Sequence, residues 1–175
     1  MSFSPGYAQE SSNMTHSLTP TTHMKVLSQK EFEEKIANFR ICLEHFPGTS
    51  TIRLEPPKQC HLLSIPFGKE TPFSLKNLNC ASEVFYCVGR EQVITLPGDL
   101  GAQDANSAEC QNVRHPICLT CEELCRVINE ARPFRNDVTG DFYAISDMGT
   151  FMLYVSHHDE VLLYFGWTLP PRSIL

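Results

Sequence analysis

Apolar residues recur along this chain at two different periods, and the change of period marks its elements. Between Ser28 and Gly48, Phe32, Ile36, Phe39, Leu43 and Phe46 return every three or four positions, one apolar stripe of a helix. Ser28 and Glu31 stand ahead of it at capping-box spacing, where hydroxyl and carboxylate satisfy two orphan backbone donors reciprocally. Pro47-Gly48 stops the pattern, so a helix running to about Phe46 is expected. Thr120 and Glu123 repeat the capping spacing before a second predicted helix at about 121–131, limited by Pro133.

Elsewhere the period shortens to two. "TIRL" and "CHLLSIPF" within 49–79 read as short strands joined by proline-rich loops. "EVFYCVGREQVITL" reads as a hairpin turning at Gly89-Arg90, with a helical turn over 83–88 as the alternative. Residues 97–108 are small and polar, a surface loop. "DFYAISDMGTFMLYVSHHDEVLLYFG" predicts a three-stranded antiparallel meander, with strands at about 141–146, 150–156 and 161–166. Residues 1–23 form a polar Ser/Thr/Pro-containing stretch expected to be disordered. The expected architecture is α+β: an antiparallel sheet, ending in the meander, packed against two main helices in a single domain over 24–175.

Composition narrows the function classes. With 14 basic against 20 acidic residues and a net charge of −6, the chain lacks the basic face a nucleic-acid binder needs, and it suits a basic-surfaced protein partner. No stretch has the length and apolarity of a membrane span. The first 23 residues lack the basic start and apolar core of a secretory signal, so a cytoplasmic protein with reduced cysteines is expected. No glycine-rich phosphate loop and no paired-carboxylate signature occur, and no cofactor is expected.

Candidate chemistry concentrates in "ECQNVRHPICLTCEELC", residues 109–125, which holds four of the eight cysteines. Cys110, His115, Cys118 and Cys121 could supply a zinc site, the basis of an adaptor built on 110–125, but their spacing is poor for one. Cys118 could instead be a reactive thiol at a helix start. Against both, Cys121, Leu124, Cys125 and Ile128 fall at i, i+3, i+4 and i+7, the buried face of a helix, and free cysteine packs as a small hydrophobe. No bound metal is expected.

Further candidates lie outside that stretch. His157, His158 and Asp159 read either as a hairpin turn or as a base with its orienting carboxylate. A cysteine hydrolase would pair Cys80, at a possible helix start, with His157 or His158 and Asp159. Trp167, the one tryptophan, suits either core-edge packing or an interface anchor.

The last of these strands, Phe151–Ser156, the His157-His158-Asp159 turn and Val161–Gly166, resemble the closing strands of bacterial polymorphic-toxin immunity proteins. The resemblance covers about a seventh of the chain. It implies a non-enzymatic inhibitor that occludes a cognate toxin through His157, His158, Asp159 and Glu160. The acidic loop residues Asp99 and Asp104, and Trp167, would add contacts, carboxylates pairing with basic toxin residues and steering association.

Overall fold

The computed structural model describes residues 24–68, 70–76, 84–91, 94–96, 111–113, 115–130, 141–156, 158 and 160–169. Along the chain run β1 (Lys25–Val26), α1 (Gln29–Asn38), β2 (Cys42–His45), β3 (Ile52–Glu55), β4 (His61–Pro66), β5 (Val84–Gly89), β6 (Ile94–Leu96), β7 (Gln111–Val113) and β8 (Ile117–Thr120). They are followed by α2 (Cys121–Glu130), β9 (Phe142–Ser146), β10 (Phe151–Ser156) and β11 (Glu160–Phe165). The expected polar tail and the 97–108 loop lie outside the described residues.

Mixed α+β architecture holds, but the sheet dominates it. Seven strands follow the order β1-β8-β5-β9-β10-β11-β4, every neighbouring pair antiparallel. The predicted meander is its β9–β10–β11 portion rather than the whole.

Two sequence expectations are corrected. First, α1 starts at its capping box, with the Ser28 N–H donating to Glu31 Oε2 at 2.8 Å, but it ends at Asn38. Arg40 takes a left-handed conformation (φ 61°), and the Arg40 and Ile41 N–H groups close back onto Ala37 O and Ile36 O, both at 3.1 Å. This Schellman closure seats Ile41 against the helix it leaves. Leu43 therefore belongs to β2, which pairs with β3 in a hairpin, and Phe46 to the turn between them. Second, β5 and β6 form no hairpin. Apolar on both faces, β5 is a central strand between β8 and β9, while β6 pairs with β7 in a separate ribbon. Where the turn was expected, Arg90 continues the pairing: its N–H donates to Asp141 O at 2.9 Å and its carbonyl accepts from Ile52 N–H at 2.6 Å.

Residues directly opposed across antiparallel strands share a sheet face. One face carries Ile117, Leu119, Phe85, Cys87, Phe142, Ala144, Leu153, Val155, Val161 and Leu163, all buried. The other carries Tyr86, Val88, Tyr143, Ile145, Met152, Tyr154, Leu162 and Tyr164. Over this second face, α1 covers one part. The Lys35 ammonium sits 4.6 Å above the Tyr86 ring, and Phe39 presses so closely on Gly149 that an added Cβ there would collide with its ring. The β2–β3 hairpin covers another part, and between hairpin and sheet the packing opens.

Candidate functional site

That opening is a cleft of about 540 Å³. Its floor follows from register: Tyr154 in β10 lies opposite Tyr143 in β9 and Leu162 in β11, with Tyr164 one step along β11 on the same face. The Tyr143 and Tyr154 rings lie 5.1 Å apart, centroid to centroid. Its other wall comes from Phe46, Arg53, Leu54 and Glu55 of the hairpin, then Pro56, Pro57, Lys58 and Cys60 on the way to β4. Arg90, just past β5, completes it.

Three cations line this space against one carboxylate, Glu55, in a chain of net charge −6. Glu55 is held by Arg53, Nη2 to Oε1 at 3.0 Å. Behind the floor, Asp141 is almost fully buried. The Tyr154 hydroxyl donates to its Oδ2 at 2.5 Å, and Arg90 Nη1 stands 3.4 Å from both that oxygen and the Tyr154 hydroxyl. This network fixes where the guanidinium sits while leaving about half of the side chain accessible, at 47%.

The three phenols stay protonated. Burial, then the hydrogen bond to Asp141 and its negative charge, push Tyr154 far above the ordinary tyrosine range. Burial also raises Tyr143 and Tyr164, against smaller opposing contributions from the Leu54 backbone and nearby arginines. At neutral pH the cleft thus presents three cations, one carboxylate already held by Arg53, and neutral phenols of which Tyr154 donates to Asp141, a surface with spare cationic donors suited to holding an anion.

A smaller cleft, about 350 Å³, shares Pro57 and Cys60 with the first and is otherwise lined by Arg40, Gln59, His61, Gly166, Trp167 and Thr168. Trp167 is buried at its rim, as core-edge packing requires, and its Nε1–H has no hydrogen-bond partner among the described residues.

Six of the residues singled out from sequence, Cys80, Asp99, Asp104, Cys110, His157 and Asp159, lie outside the described residues. His158 is exposed, its N–H donating to Ser156 Oγ at 3.1 Å, and Glu160 accepts from Ser64 Oγ at 2.5 Å across the β4–β11 pair. His115 is exposed, and among the described residues no three His, Cys, Asp or Glu side chains gather where a metal could bind. Cys118 sits half-buried in β8 opposite Lys25 and Tyr86, and burial raises its thiol pKa, contrary to the lowered value a reactive thiol needs. The helical face survives: Cys121, Leu124 and Ile128 are buried, Cys125 is half-buried with its thiol pushed up to about 11 by burial, and the Thr120 N–H donates to Glu123 Oε2 at 2.8 Å.

Sequence reading missed Arg53, Lys58, Arg90, Tyr143, Tyr154 and Tyr164. One signal was present: a hairpin turning at Asp147–Thr150 necessarily sets Tyr143 opposite Tyr154. Among the described residues no helix is long and apolar enough to cross a membrane. Comparison of the chain with protein-family models, with curated proteins and with solved structures returned no match.

Proposed function

We propose that this chain is a non-enzymatic binding protein whose recognition surface is the cleft between the β2–β3 hairpin and the β9–β11 floor. The observation that carries this reading is the gathering of Arg53, Lys58 and Arg90 with three neutral tyrosines around one open space of about 540 Å³. Arginine forks match carboxylate and phosphate geometry, and the Asp141–Tyr154 network holds one fork ready. The immunity-type role implied by the C-terminal resemblance belongs to the same broad class. Of its expected contacts, Asp99, Asp104, His157 and Asp159 lie outside the described residues, Trp167 is buried, Glu160 is engaged by Ser64, and His158 stands exposed outside the lining of either cleft, so the cleft is the contact surface we assign.

Fluorescence anisotropy of a labelled hexaglutamate peptide, added to the full chain at low ionic strength, tests this. Binding is expected, weakening with salt and falling roughly tenfold or more in an Arg53→Gln/Arg90→Gln variant, as expected for lost charge-assisted hydrogen bonds. Equal binding by wild type and variant, or no binding of this peptide or of any other anion, contradicts the assignment.

A further inference from the structure

We propose that the ligand of this cleft is a small organic anion, a flat ring joined to a phosphate or carboxylate. The charged end lies at Arg53 and Arg90, and the ring between Leu162 with Tyr164 and the Pro56-Pro57 wall. The proposal rests on the cleft being the recognition site and adds the chemistry of what it takes.

The lining supplies both charge and apolar surface. Backbone pairing brings the two arginines together: Ile52, the residue before Arg53, donates its N–H to the Arg90 carbonyl at 2.6 Å, and both side chains line the cleft. Arg53 meets Glu55 through Nη2 and Arg90 meets its partners through Nη1, and a guanidinium has five N–H donors, so each fork keeps donors for an incoming anion. Among the described residues the Tyr164 hydroxyl has no hydrogen-bond partner and Lys58 no ion pair. Phe46, Leu54, Pro56, Pro57 and Leu162 supply the apolar remainder, a surface that pairs with a ring and gains nothing from a bare ion.

Competing occupants fit less well. A volume of about 540 Å³ falls in the range of sites for organic molecules and far exceeds what inorganic phosphate fills. A nucleic-acid strand needs a long track of cations, whereas this patch has three on a chain of net charge −6. A divalent cation would find Glu55 and Asp141 already paired with arginines.

Calorimetric titration of the full chain separates these cases. Phenyl phosphate, adenosine 5′-monophosphate and indole-3-acetate carry both features. Phenol and adenosine carry the ring alone, and inorganic phosphate and acetate the charge alone. At least one ring-bearing anion is expected to bind roughly tenfold or more tighter than its ring or its anion alone, and to lose that advantage in Arg53→Gln, since a charged hydrogen bond contributes about that factor. Arg53 is exposed and outside the core, and an unchanged near-ultraviolet spectrum from Trp167 verifies that the variant folds. Inorganic phosphate binding as tightly as phenyl phosphate overturns the ligand class, as does adenosine matching its monophosphate. Hexaglutamate binding through Arg53 and Arg90 while every ring-bearing anion fails removes the ligand class but leaves the binding function standing. Failure of all anions removes both.

Discussion

Tyr154→Phe deletes one oxygen and exposes the logic of the site. That hydroxyl donates to Asp141 Oδ2 at 2.5 Å, and Asp141 is only 8% exposed, so the carboxylate depends on protein donors for what water supplies elsewhere. A hydrogen bond to a charged acceptor contributes roughly 1.5–3 kcal/mol. Arg90 remains beside Asp141 at 3.4 Å and is half solvated, which offsets part of the loss, so a destabilisation of about 1–2 kcal/mol is expected. Tyr143→Phe is the internal control: its hydroxyl bonds the neutral Leu54 backbone, a contact of roughly 0.5–1.5 kcal/mol. Urea denaturation of both variants and the wild type, with slopes compared, measures the two losses. In Tyr154→Phe the Arg90 fork also loses a neighbour, so anion affinity should fall with the stability. A Tyr154→Phe variant as stable as wild type, or costing less than Tyr143→Phe, refutes the idea that the phenol holds Asp141 and Arg90 in place.

Other consequences are as direct. Because Tyr143, Tyr154 and Tyr164 have raised pKa values in the folded chain, their contribution to stability is complete below the unfolded value of about 10 and is lost as pH climbs through the folded values. Phenolate absorbance in an alkaline titration should therefore appear late for these three of the five tyrosines, together with unfolding. Arg40→Gly should stabilise by about 0.5–1 kcal/mol in thermal or urea denaturation, since glycine takes the left-handed position at φ 61° without a Cβ penalty. Gly149→Ala should cost about 2–3 kcal/mol in the same assay, combining strain at φ 67° with collision against the Phe39 ring.

Local chemistry was legible along the chain where it is short-range. Both capping boxes formed as spaced, because a hydroxyl and a carboxylate three residues apart need only their own helix turn. The β9–β10–β11 meander was legible for the same reason, its turns being local. The end of α1 was not, because an arginine stands where a glycine would have signalled the left-handed closure, and the apolar stripe runs on past it into β2. Gly89-Arg90 has the composition of a turn, yet β5 is buried on both sides, so its ladder partners come from β8 and β9. The cleft was least legible: Arg53, Lys58, Arg90, Tyr143, Tyr154 and Tyr164 come from five separate parts of the chain, and only the strand order brings them together.

Two-dimensional amide NMR of the full chain titrated with phenyl phosphate tests whether the cleft recognises anions. The shifts should be saturable and centre on Arg53 to Lys58, Arg90, Tyr143, Tyr154 and Tyr164, disappearing in Arg53→Gln/Arg90→Gln. Shifts centred instead on His158 and Glu160, or no saturable shifts at all, contradict anion recognition there.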